Sequence, residues 1–78
     1  MSSVTLTTDR RTKKGDVVAV IGSQPPVGSW DPAKAVVANE YPPRSGLWSV
    51  NVFYDSESIL EWNWVIIDKV TKEVCSCF

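Results

Sequence analysis

The chain has 78 residues, 44% hydrophobic and 22% charged, with eight basic against nine acidic side chains, the balance of an ordinary folded domain rather than a disordered tail. A domain of that length buries only about 60% of the surface its unfolded chain exposes, which leaves a small core and little room for a deep catalytic pocket. Its longest apolar runs, Val17 to Ile21 and Trp64 to Ile67, fall far short of the roughly 20 residues that cross a bilayer, and the formal charge of -1 gives no overall attraction for nucleic acid or anionic lipid.

Along the chain, Val4 to Thr8 alternates apolar and polar residues as an outer strand does, whereas Val17 to Ile21 is continuously apolar, mostly β-branched and closed by Gly22, as an inner strand is. The polar stretch Asp9 to Gly15 between them predicts a loop that carries Arg10, Arg11, Lys13 and Lys14. No aromatic residue lies between Met1 and Trp30 to stack a base, so these cations read as a solvated loop rather than a nucleic-acid surface. Pro25, Pro26, Pro32, Pro42 and Pro43 cut the middle of the chain into short pieces. Only Ala33 to Tyr41 has room for a turn or two of helix, with Asp31 as N-cap and Pro32 at the first helical position. Leu47 to Val52 and Leu60 to Ile67 predict two further strands, and the polar turn Asp55 to Ser58 between them suggests a hairpin. Val70 to Cys77 predicts a weaker last strand. Short strands joined by Gly/Pro-rich loops imply an all-β fold, an antiparallel sandwich or barrel.

In a strand Trp62 and Trp64 share a face with Leu60 and Ile66, while Glu61, Asn63 and Val65 take the other, and the first face reads as core. Trp48, aligned with Val50 and Val52, reads the same way. Trp30 differs, because it sits in a loop between Gly28, Ser29 and Asp31, Pro32. There its indole is either a plug folded over the sandwich end or a flat platform covering the apolar face of a sugar.

The chain has no histidine, which removes the Ser-His-Asp and Cys-His arrangements and the commonest zinc ligand together. Asp55, Glu57 and Glu61 are close in sequence, but so small a sandwich cannot set two carboxylates across a cleft as a glycosidase does. Cys75 and Cys77 lie about 7 Å apart on one strand face, too far to bridge without distortion. They are expected as free thiols, and they fall short of the four ligands of a structural zinc site. No catalytic residue, metal or cofactor is therefore expected. The start Met-Ser-Ser-Val-Thr-Leu has neither a basic nor an apolar signal region, which together with free thiols points to a cytoplasmic setting.

The run Gly15-Asp-Val-Val-Ala-Val-Ile-Gly22, followed by Val27-Gly-Ser-Trp-Asp-Pro-Ala-Lys-Ala35, resembles the starch-binding domain, family 20 of the carbohydrate-binding modules. In that family a strand ending in V-x-G leads to L-G-x-W, often continued as D-P-x-x-A. Tyr41 with Leu47-Trp-Ser-Val-Asn-Val52 is similar to the family's Y-x(n)-L-W-x-V-x-V, and Leu60-Glu-Trp-Asn-Trp-Val65 to its F-E-Y-K-F-x strand. The resemblance runs from about Val4 to Val74. It implies a small immunoglobulin-like antiparallel β-sandwich, residues 1-78 forming one domain without the last strand or strands of the family. It also implies a non-catalytic role, the binding of α-glucan such as starch, glycogen or maltooligosaccharides.

For the sites, the resemblance puts Trp30 on one stacking platform of a first glucan site. Asn63 stands where the family has a sugar-binding lysine, and the segment Lys72 to Phe78 offers no counterpart to the second platform tryptophan. At a second site Tyr41 falls on one platform tyrosine, and Lys14 stands in place of the other. An uncovered edge at Val74 to Phe78 would invite pairing with another chain or with the rest of a larger protein. Modules of this kind inside cells often begin larger proteins, among them glucan phosphatases, glycogen-associated membrane proteins and glycerophosphocholine phosphodiesterases. A rival reading is a protein-interaction or regulatory sandwich of the same fold, fused to a phosphodiesterase or phosphatase, in which glucan affinity is weak or lost.

Overall fold

The computed structural model describes residues 2–77, with the side chains of residues 2–75. Expectations for the Cys77 thiol and for Phe78 lie outside the described residues. The chain forms the expected all-β antiparallel sandwich. Strands β1 (Ser2–Asp9), β5 (Leu47–Tyr54) and β4 (Asn39–Glu40) make one sheet in the order β1-β5-β4. The other sheet runs β3-β2-β6-β7, from β3 (Val36–Val37), β2 (Asp16–Gly22), β6 (Trp62–Asp68) and β7 (Val74–Cys77). No helix among the described residues is long and apolar enough to cross a membrane.

The period-2 pattern of β5 sends Trp48, Val50 and Val52 inward, and the register of β1 sets Leu6 opposite Val50 and Val4 opposite Val52 on that face. Val18 and Val20 of β2 meet them from the other sheet, and Val27 and Ala38 complete the buried cluster. Burying five such valines and a tryptophan on both inner faces holds the layers together, at about 25 cal/mol per Å² of apolar surface removed from water.

Four sequence expectations are corrected here. β5 and β6 do not form a hairpin. They lie in different sheets, each with a long ladder elsewhere, and the segment between them arches across the sandwich end. Buried Gln24 holds that arch: its Oε1 accepts from Asp55 N at 2.7 Å, and its Nε2 donates to the carbonyls of Asp55 and Ile59 at 3.2 and 3.4 Å. A buried amide with all its partners in one loop fixes that loop as firmly as a ladder would.

The expected helix is only a 3-10 turn, Pro32–Lys34. The signals for its start are real, since Asp31 accepts from Ala33 N at 3.0 Å and Pro32 opens the turn. The β-branched pair Val36–Val37 then leaves the helix to join β2, opposite Val20 and Ala19. The last strand likewise starts at Val74 and not at Val70, because Asp68 Oδ1 caps a turn through the N–H groups of Val70 and Thr71 at 2.8 and 3.0 Å. Those bonds, Thr71 foremost, hold the Asp68 carboxyl below its usual range.

The face reading of β6 is also revised. Trp62 is 38% exposed, and Trp64 is half-buried against the inner cluster, with the two rings edge to face at 5.6 Å. Val65 and Ile67, on the face opposite the one read as core, are 3% and 0% exposed and form a second cluster with Ala19 and Ile21. The continuous run Trp64 to Ile67 is thus apolar on both faces, like β2 beside it. Ile67→Ala is expected to cost about 2 to 5 kcal/mol, against about 0.5 kcal/mol or less for Phe53→Ala on the exposed face of β5. Urea unfolding of the two variants separates them, and equal losses would mean that the outer cluster does not carry the sheet.

Candidate functional site

Trp30 sits at the end of β2 where Gly22 closes the strand. From Gly22 the chain turns through the 3-10 segment Pro25–Val27, and Val27, fully buried, is the residue that fills the sandwich end. Gly28, Ser29 and Trp30 then all take left-handed backbone angles, with φ of 91, 47 and 65°. Such a run is held only by its bonds: Ser29 N donates to Gln24 O at 3.1 Å, Asp31 N to Gly28 O at 2.8 Å, and Trp30 N to Gly22 O at 2.8 Å. The result leaves the Trp30 indole 49% exposed on a pinned backbone. The fully buried residue of this loop is Val27, not Trp30.

Gly22 is what allows this closure. A Cβ there would lie 2.6 Å from the Glu61 carbonyl and 2.7 Å from Val27 Cγ2, so only glycine lets the turn and the arch pack against the strand. Trp62 is its cross-strand partner, and Asn63 stands opposite Ile21, one residue back. Asn63 is exposed, and its Oδ1 accepts from Trp64 N at 3.0 Å. Trp30, Asn63 and the partly exposed Trp62 therefore gather around one strand end. The exposure of Trp62 was not legible from alternation, which assigned it to the core.

The other two expected site residues lie at the opposite end of β2, roughly 20 Å away at about 3.3 Å per residue. Lys14 is at the corner of the turn Lys13 to Asp16, closed by Asp16 N donating to Lys13 O at 3.0 Å with Gly15 at φ 93°. Tyr41 follows β4, its N–H donating to Leu47 O at 3.1 Å, and its ring is 79% exposed. It lines a depression of about 430 Å³ with Leu47, Thr7, Ser49 and Asp9. Lys14 does not face that space. It lines a separate groove of about 480 Å³ with Arg11, Lys13, Arg44 and Lys69, and Trp48 borders both. The sequence showed the local run Arg10 to Lys14 but gave no sign that Arg44 and Lys69, from distant loops, join it.

No group of three or more metal-ligating side chains occurs among the described residues. The exposed Cys75 thiol is pushed up by desolvation first and by the neighbouring Asp16 carboxylate second, so it stays protonated at neutral pH.

The starch binding domain profile matches residues 1–75 of the chain. Among solved structures, the chain is similar to a glycoside hydrolase family 15 glucoamylase from Hypocrea jecorina, with a TM-score of 0.80 and 21% identity over 95% of this chain. It is also similar to the family 20 carbohydrate-binding module of a maltotetraose-forming amylase from Pseudomonas saccharophila, with a TM-score of 0.77 and 25% identity over 94% of this chain. The chain spans 12% of the glucoamylase and 75% of the amylase module. No curated protein matches the sequence significantly.

The packing at Gly22 has a direct test. Gly22→Ala should destabilise the fold by about 1 to 3 kcal/mol through overpacking, and it should raise the acrylamide quenching of tryptophan fluorescence as the loop lifts. An unchanged thermal midpoint would show that the junction has slack.

Proposed function

The chain belongs to the starch binding domain family, and from that membership we propose that it is a non-catalytic module that holds α-glucan, with Trp30 as the principal stacking platform. The observation that carries this is the half-exposed indole on a backbone bonded to the end of β2. A pinned indole loses little freedom when a pyranose covers it, and Asn63 and the neighbouring backbone offer hydrogen bonds to hydroxyls. Tyr41, with Leu47 beside it, supplies a second, smaller platform at the far end. The ligand in this reading is an α-glucan such as starch, glycogen or a maltooligosaccharide, and the module serves to hold a larger protein on that polymer. An exposed free thiol at Cys75 supports a reducing, cytoplasmic setting.

Magnitudes place a single site in the weak range. Covering roughly 100 Å² of indole at about 25 cal/mol per Å² contributes on the order of 2.5 kcal/mol before association costs. A few hydrogen bonds of about 1 kcal/mol each bring the total near -4 kcal/mol, a millimolar dissociation constant. Polymers gain by avidity, since two platforms at opposite ends can engage one particle.

Titration with β-cyclodextrin, followed by tryptophan fluorescence, is expected to give a millimolar constant that Trp30→Ala abolishes while the unfolding transition stays in place. Binding that survives Trp30→Ala would remove the platform from the reading. Asn63→Lys should tighten binding about five- to thirtyfold, because hydrogen bonds from a charged donor exceed neutral ones. The same variant gives up the Asn63 bond to Trp64 N, a loss of about 1 kcal/mol readable in stability alone. Unchanged affinity in a folded Asn63→Lys would place the sugar away from β6.

A further inference from the structure

We propose that the groove around Lys14 is a phosphate-binding site that takes the phosphomonoester of a phosphorylated α-glucan, an inference that rests on the glucan reading above. Charge segregation is the first observation. The groove holds five of the eight basic side chains, Arg11, Lys13, Lys14, Arg44 and Lys69, against two of the nine carboxylates, Asp16 and Glu40. Five less two leaves a charge of +3 there, and since the chain totals -1, everything else carries -4. One of the two carboxylates is engaged locally, Glu40 Oε2 accepting from Gly46 N at 2.8 Å.

The second observation is that backbone and indole bonds build the groove. Lys69 N donates to Gly15 O at 2.8 Å, which ties the β6–β7 turn to the corner that carries Lys14. Arg10 N donates to Gly46 O at 2.7 Å, and Trp48 Nε1 to Arg10 O at 2.7 Å, fixing the 10–15 loop to β5. Ser45 N donates to Pro42 O at 3.1 Å and closes the turn that presents Arg44. Cations from three loops are thus set around one space before any ligand arrives, and a phosphate dianion gains charge-assisted bonds without first ordering the loops.

The third observation selects a sugar phosphate over a polyanion. Trp48 lines both the groove and the Tyr41 depression, and in this proposal a glucose ring rests on Tyr41 and Leu47 with a phosphate on one hydroxyl directed past Trp48 to the cations. Nucleic acid has a charge on every nucleotide. Beyond the groove such a strand meets Asp9 in the depression and a surface of net negative charge. A neutral polymer with sparse phosphates avoids that repulsion.

The test is affinity electrophoresis of the chain in gels of phosphorylated amylopectin and of the same preparation after phosphatase treatment, at low and at physiological salt. The native chain should bind the phosphorylated polymer about tenfold more tightly at low salt, an advantage that shrinks as salt rises. Arg44→Glu and Lys69→Glu, each checked by thermal unfolding, should lose that advantage and keep the affinity for the treated polymer. Either variant alone suffices if the other fails to fold. Trp30→Ala should lose affinity for the treated polymer and retain a phosphate-dependent difference. Equal affinity of the native chain for the two preparations would overturn the groove proposal while leaving the glucan reading intact. Retarded migration in neither gel would overturn both, and single-stranded RNA binding more tightly than phosphorylated amylopectin would overturn the choice of ligand.

Discussion

The structure depends on β2 being apolar on both faces. Val18 and Val20 bury inward against β5, Ala19 and Ile21 bury outward beside Val65 and Ile67, and the strand is flanked on both edges by partners. A strand so placed cannot slip by one residue without trading one buried face for the other, and the two faces hold side chains of different size. Its ends are consequently fixed points. One end is Gly22, on which the Trp30 loop is hung; the other is the Lys13 to Asp16 turn, to which the cationic loops are tied.

Because both candidate sites are built on the ends of one rigid strand, each inherits its geometry from the core rather than from its own loop. This explains how a loop with three consecutive left-handed residues can be stable at all. The strain at Ser29 and Trp30 is offset by bonds to Gly22 and Gln24, and Gln24 is itself locked by the 55–61 arch. Charge follows the same axis. The Lys14 end is cationic, while Asp31, Asp55, Glu57 and Glu61 belong to the loops at the Trp30 end, so the module is electrically polar along β2.

The sequence was a good guide where one rule acted alone. Alternation located β1 and β5 and the inward set Trp48, Val50 and Val52, and the Asp31-Pro32 pair marked a real N-cap. It misled where two rules competed. Trp62 alternates with Trp64 and so looked buried, but it falls at the strand's end, where no opposing sheet covers it fully. Parity put Val65 opposite the face read as core, though its neighbours Trp64, Ile66 and Ile67 already spelled a strand apolar on both sides. The polar turn at Asp55 to Ser58 resembled a hairpin because turn chemistry is the same whether a chain returns within its sheet or crosses to the next. Motif similarity put Trp30 and Tyr41 forward as candidate platforms, and both are exposed, whereas the joining of Arg44 and Lys69 to Lys14 is a product of tertiary contact and leaves no local trace.

The pairing of β1 with β5 and of β2 with β6 also governs how the molecule is made. In the first ladder the nearest partners are Asp9 and Leu47, in the second Gly22 and Trp62, separations of 38 and 40 positions. Neither ladder can begin on a chain emerging from the ribosome until most of β5, and then β6, is outside the exit tunnel. Until then the apolar run of β2 has only the two residues of β3 to pair with on one edge and nothing on the other, and loop closure over the longer distances makes folding slow. Nascent chains of this design therefore expose Val17 to Ile21 longest, and that run is preceded by the charged residues Arg10, Arg11, Lys13 and Lys14, the kind of flank that opposes aggregation of an apolar strand.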